Sequence, residues 1–221
     1  MTWSVDDSSA LYGIDRWGKG LFEVTAPGHL AMTPMGSEPQ APRVDLYSLF
    51  CELRDAGIET PLLLRFPDVA RRRIETLSGA FSDAMARAGY GGAYRGVYPI
   101  KVNQERHLVE DVLRSGRAHH LGLEVGSKAE LLVALALLDD PEALTICNGY
   151  KDRRYIETAL LATRVGRNPI LVIEKHAEVD AILDAAERLG IRPSLGVRAR
   201  LSRPGQGRWQ GSSGDRAKFG L

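Results

Sequence analysis

At 221 residues, 44% hydrophobic and 26% charged, the chain carries enough apolar material for a sizeable core, and this composition excludes a disordered tail. Its 29 basic and 28 acidic residues leave a formal charge of +1, so nothing in bulk draws it to nucleic acid or to a membrane surface. No apolar run approaches the ~20 residues of a membrane span, the residues from Met1 to Asp7 lack the basic and apolar regions of a signal peptide, and Cys51 and Cys147 are too few for a disulfide framework or a zinc site. A cytoplasmic protein is the expectation.

Residues 1–44 show little periodicity and are rich in Gly, Pro and aromatics (Tyr12, Trp17, Phe22, Pro27, Pro34), which predicts an extended N-terminal arm. The second region, 45–221, opens with Asp45 as an N-cap, and Leu46, Leu49, Phe50 and Leu53 recur at helical spacing up to Gly57. A repeating unit follows. The apolar run 61–66 predicts a first strand and 68–88 a helix, in which Arg71, Arg72 and Arg73 read as a solvated face. Strands are then expected at 94–102, 121–125, 144–147, 170–173 and 194–201, with helices at 106–115, 127–138 (capped by Ser127), from Asp152 onward, and at 177–189.

Strands alternating with helices of this length imply βαβ crossovers and a parallel sheet. The strand runs are apolar throughout, as strands covered on both faces require. A doubly wound sheet and a (β/α)8 TIM barrel both satisfy the string; the turn Phe66-Pro67-Asp68 offers no Gly-rich phosphate loop, which favours the barrel. A barrel needs eight strands and ~250 residues, whereas about six strands are legible before Leu221. The expected fold class is therefore α/β, a partial barrel truncated in mid-domain, with inactivity and instability expected of a molecule that ends there.

Active sites of such barrels lie at the C-terminal strand ends. The polar residues there are Lys101, Asn103, Glu124, Asn148, Glu174, Arg198 and Arg200. Lys101 follows Val97-Tyr98-Pro99-Ile100, so its amine is expected in the barrel mouth, desolvated as a Schiff-base lysine would need. Position alone favours a lysine snorkelling from a strand end, so the pattern by itself does not find a cofactor.

The segment Tyr98-Pro99-Ile100-Lys101-Val102-Asn103-Gln104 resembles the cofactor-lysine segment of the alanine-racemase-like (fold type III) pyridoxal-phosphate enzymes, in the form carried by biosynthetic arginine decarboxylases. Tyr12 to Gly18, Leu123 to Leu131, Ile146 to Asp152 and Gly214 to Leu221 are similar to further stretches of that family, in the same order. The resemblance implies pyridoxal 5'-phosphate as cofactor, with Lys101 as its covalent anchor. It implies that Glu124 lies in the site as a catalytic carboxylate, against a capping role for the Ser127 helix, and that Arg198 lies near the cofactor's phenolic side, with Arg200 as the competing register. Asn103 and Glu130 stand as supporting residues, while Glu174 and Asn148 read as structural.

The same resemblance implies decarboxylation of L-arginine to agmatine and CO2 in polyamine biosynthesis, with a homo-oligomer when full length and magnesium alongside the cofactor. No metal ligand for magnesium is legible, and the five histidines show no ligand spacing. The alternatives are ornithine, diaminopimelate or carboxynorspermidine as substrate, or a non-catalytic pyridoxal-phosphate binder. Residues 205–214 lack the Gly-Lys-Ser/Thr ending of a phosphate loop and are expected to form a mobile loop.

Overall fold

The computed structural model describes residues 3–34, 36, 42–200 and 219–221. The loop expected at 205–214 lies outside them, as do residues 214–218 of the closing motif. The chain divides into two compact units, Met1–Arg73 and Ile74–Leu221.

In the first unit, helix α1 (Val5–Tyr12) starts with a capping box: the Ser4 hydroxyl accepts the Asp7 N–H, and the Asp7 carboxylate accepts the Ser4 N–H. A short helix α2 (Ile14–Trp17) leads into an antiparallel sheet of β1 (Phe22–Val24), β2 (Leu30–Met32) and β3 (Val44–Asp45), in that order. Ile14, Ala31 and Met32 are buried. Residues 1–44 thus carry regular structure of their own. Strands of two or three residues are too short for an alternating pattern to register. Asp45 caps α3 (Leu46–Asp55) as expected, its Oδ1 accepting the Ser48 N–H at 2.9 Å. The strand expected over 61–66 does not form: those residues join no ladder, and Leu63 is 77% exposed. An apolar run becomes a strand only where a partner completes its hydrogen bonds, and periodicity carries no information about the partner.

Helix α4 (Pro67–Ala88) spans the division. The second unit is built on a five-stranded parallel sheet, β4 (Val97–Pro99), β5 (Gly122–Val125), β6 (Leu144–Cys147), β7 (Asn168–Ile173) and β8 (Ser194–Val197), whose spatial order follows the chain. Helices α5 (Arg106–Gly116), α6 (Lys128–Leu137), α7 (Arg153–Ala162) and α8 (His176–Leu189) make the crossovers. Consecutive strands in spatial order with a helix between each pair is the winding of a barrel rather than of a sheet with a switch point. Registers such as Glu124 opposite Ile146 and Ile173 opposite Val197 bring the C-terminal strand ends to one rim.

The caps expected from the sequence are in place. Ser127 Oγ accepts the Glu130 N–H, and Asp152 Oδ1 accepts the Tyr155 N–H at 2.7 Å. The core gathers Leu123, Val125, Leu131, Ile156, Leu160, Leu171 and Ile182, each contributing ~1.5–3 kcal/mol through burial. All four β5 residues are buried, whereas β8 is largely exposed.

Cys147 is buried, and burial pushes its thiol up to about 12, while Cys51 is only half-buried. Because the thiolate is the reacting species, iodoacetamide at pH 8 should modify the Cys51 peptide of the native protein and leave the Cys147 peptide unmodified until urea is added. Peptide mass mapping checks this, and native-state labelling of Cys147 would contradict the burial.

Candidate active site

Strand β4 ends in a single 3-10 turn, Ile100–Val102, whose first residue is buried and whose second is Lys101. The turn re-aims the chain, so Lys101 stands at the rim with its side chain 60% exposed, not desolvated as its strand-end position suggested. Its Nζ donates to Glu124 Oε1 at 3.2 Å. Glu124, in fully buried β5, is 8% exposed, and the same oxygen accepts the Asn148 side-chain amide at 2.8 Å. Its other oxygen, Oε2, is buried with no hydrogen-bond partner among the described residues. The helix that follows is capped by Ser127 Oγ, not by Glu124, and Glu130 in its first turn accepts the Gly126 N–H at 2.7 Å.

The row continues across the next strands. Asn148 and Gly149 follow β6, Glu174 follows β7 and Arg198 follows β8. Gly149 N–H donates to Glu174 Oε1 at 3.1 Å, and Arg198 Nη1 reaches the same oxygen at 3.4 Å. The Glu174 side chain is 0% exposed, and its Oε2 also lacks a partner among the described residues. The Arg198 guanidinium lies 5.4 Å from the Phe219 ring centroid, and Phe219 meets Tyr150 edge-on. Lys175 Nζ sits 3.6 Å from the centre of the Tyr150 ring.

Among the residues expected in the site, Lys101 and Glu124 come together, while Arg198 joins Glu174 two strands beyond Glu124. The bridge between the pairs is Asn148-Gly149, whose consecutive residues bind one carboxylate each. Asn148 and Glu174, read as structural from the sequence, belong to this row. The signal that marks them is shared with Glu124: each is a polar residue ending an apolar strand. Arg200 is held by its backbone, its N–H donating to the Leu221 carbonyl at 2.8 Å. Asn103 Oδ1 accepts the Glu105 N–H and shapes the turn after Lys101. The Tyr155 hydroxyl lies within donating distance of both the Val125 and Asn148 carbonyls, and its burial raises its pKa and keeps it a neutral donor.

A primary amine open to solvent at the rim, backed by a buried carboxylate with one oxygen unpaired among the described residues, is a donor set that fits an aldehyde cofactor: the amine for covalent attachment, the carboxylate for proton exchange.

Residues 72–221 match the family model described as pyridoxal-dependent decarboxylase, pyridoxal binding domain. Over 219 residues the chain is 52% identical to a biosynthetic arginine decarboxylase of Nostoc sp., covering 99% of this chain and 32% of that protein. The corresponding protein of Gloeobacter violaceus is 50% identical, with 99% and 34% covered. The crystal structure of the biosynthetic arginine decarboxylase SpeA from Campylobacter jejuni superposes with a TM-score of 0.78 at 37% identity, over 95% of this chain and 33% of that one. The chain therefore spans about a third of the length of these relatives, and its parallel unit is a partial (β/α) barrel. A lysine-bearing rim on that barrel and a family match covering the whole of it lead to one assignment: the chain belongs to the pyridoxal-dependent decarboxylases, and residues 72–221 match their pyridoxal-binding domain.

Proposed function

We propose that the protein of which this chain is part decarboxylates L-arginine to agmatine and CO2, with pyridoxal 5'-phosphate held covalently by Lys101. The observation that carries the reading is the contact of Lys101 Nζ with Glu124 Oε1 at the mouth of the family's pyridoxal-binding barrel. The choice of arginine rests on the arginine decarboxylases that the chain resembles over nearly its whole length.

The chemistry that bound pyridoxal phosphate supplies is an electron sink for the pair left as CO2 departs. The chain's own residues supply orientation and proton handling. Lys101 Nζ must shed a proton before it can attack an aldehyde carbon, and Glu124 Oε1 is the acceptor within hydrogen-bond reach. The Asn148 amide donates to the same oxygen, Oε1, and so holds the proton-accepting atom at a fixed position. Buried Glu174 fixes Arg198, which under this reading holds the cofactor's phenolic side. Magnesium belongs to the proposal through the resemblance alone. Among the described residues no group of three or more His, Cys, Asp or Glu could hold a metal. A homo-oligomer and a cytoplasmic location are part of the same reading; among the described residues no helix is long and apolar enough to cross a membrane.

The test is borohydride reduction of the natural protein, peptide mapping of the pyridoxyl group, and a CO2-release assay with arginine, ornithine, diaminopimelate and carboxynorspermidine. A pyridoxyl group on Lys101 with release from arginine is the expected result. Label on another lysine, or none, sinks the assignment. Label on Lys101 without release from any amino acid identifies a non-catalytic binder, and release from a different amino acid redirects the substrate.

A further inference from the structure

Immediately beyond the rim lies an ion pair that the chemistry above does not use. The Lys151 side chain is 0% exposed and that of Glu178 is 4% exposed. An ammonium enters a protein interior only with its protons placed, and Lys151 Nζ has three acceptors: the Gly149 carbonyl at 2.7 Å, the Val172 carbonyl, and Glu178 Oε2 at 3.5 Å. Glu178 is used just as fully. Its Oε1 accepts the Lys151 N–H at 3.0 Å and its Oε2 accepts the Glu174 N–H at 2.8 Å. A lysine on the turn after β6 and a glutamate in the first turn of α8 thus bind backbone groups on both sides of the gap between the β6 and β7 turns.

These two turns carry the residues that join the halves of the site. Gly149, whose carbonyl is held by Lys151, donates its N–H to Glu174. Glu174, whose N–H is held by Glu178, anchors Arg198. A buried ion pair is a poor device for stability alone, since well-packed apolar residues of similar volume commonly do as well or better. It does fix geometry, because each partner accepts few alternative placements.

We propose that Lys151 and Glu178 are positioning residues for the pyridoxal site, locking the turns after β6 and β7 so that Glu174 holds Arg198 in place. The inference rests on the pyridoxal reading. Neither residue touches Lys101 or Glu124, and neither is a catalytic residue.

The test uses the natural full-length protein with Lys151→Met and Glu178→Gln. The matched control is Ile182→Ala, a buried core residue one turn further along α8. Hydrogen exchange of the cofactor-free protein is followed in peptides covering 148–151 and 172–178, and pyridoxal phosphate affinity is measured by absorbance titration. Both polar variants are expected to speed exchange in these turns and to weaken cofactor affinity about tenfold or more, the scale on which supporting residues act on a bound group. Ile182→Ala should lower stability and leave affinity within about threefold of wild type, as a change outside the supporting contacts does. Wild-type affinity in Lys151→Met, or equal weakening in the control, overturns the positioning role. Should Lys151→Met not fold, Lys151→Arg keeps the charge but cannot place donors on the same three oxygens, and it is read by the same criteria. If the wild-type protein binds no pyridoxal phosphate, the pyridoxal reading fails on its own; unchanged exchange in the two turns refutes the coupling separately.

Discussion

Lys101→Arg is expected to abolish borohydride-trapped pyridoxyl label and to lower arginine turnover by roughly three orders of magnitude or more, the scale at which loss of a covalent catalytic group is felt. Arginine separates the two tasks of this position. A guanidinium stays protonated in proteins and cannot condense with an aldehyde, yet it keeps a cation beside Glu124, whose side chain is 8% exposed. The fold should survive, because Lys101 is itself 60% exposed and the positive charge is retained. Lys101→Ala adds the converse: it also loses the label, and among the described residues it leaves Glu124 Oε1 with the Asn148 amide alone. If Lys101 served merely as the ion-pair partner of Glu124, arginine would rescue what alanine loses. Turnover of Lys101→Arg within tenfold of wild type, measured as CO2 release, would remove Lys101 from the chemistry.

The parallel unit was legible in the sequence because its strands are apolar runs bounded by punctuation that has a mechanism. Ser127 and Asp152 cap α6 and α7 as their side chains predict, and β5, β6 and β7 stand where the runs of Leu123, Ile146 and Leu171 placed them. The run at 61–66 looked the same and is not a strand, since its apolar character says nothing of a pairing partner. The first unit's sheet was invisible for the opposite reason: β3 has two residues, too few to show a period. Lys101 was singled out by local wording, but its exposure depends on the 3-10 turn that follows β4. Glu174 and Asn148 looked structural because their partners are 25 and 24 residues away in the chain, beyond what spacing can reveal. The Lys151–Glu178 pair, 27 residues apart, was hidden in the same way. A buried lysine and a surface lysine are the same letter until the neighbouring turn is in place.

Gly149→Ala is expected to cost about 2–5 kcal/mol of stability and to loosen the site with it. Two effects add. Gly149 has φ +74, in the left-handed region, where a Cβ costs ~1–2 kcal/mol. A Cβ there would also be driven into the Gly126 carbonyl oxygen, a backbone atom that cannot swing aside, and forced overpacking of that kind costs ~1–3 kcal/mol. Gly190, the C-cap of α8, separates the two effects, because it has φ +61 and nothing within 4 Å of its would-be Cβ. Gly190→Ala should therefore lose only the backbone strain, ~1–2 kcal/mol. Urea titration of both variants measures the difference; equal losses would mean that the close approach of the turn after β6 to Gly126 does not constrain the fold. The functional consequence follows from the hydrogen bonds of the same residue. The Gly149 N–H holds Glu174 and its carbonyl holds Lys151, so the relief of a clash at Cβ displaces both. Gly149→Ala should weaken pyridoxal phosphate affinity, while Gly190→Ala, at the far end of α8, should leave it unchanged. The glycine is needed at this point because the polypeptide passes against β5's exit turn while turning left-handed, and the row from Lys101 to Arg198 is continuous only if it does both.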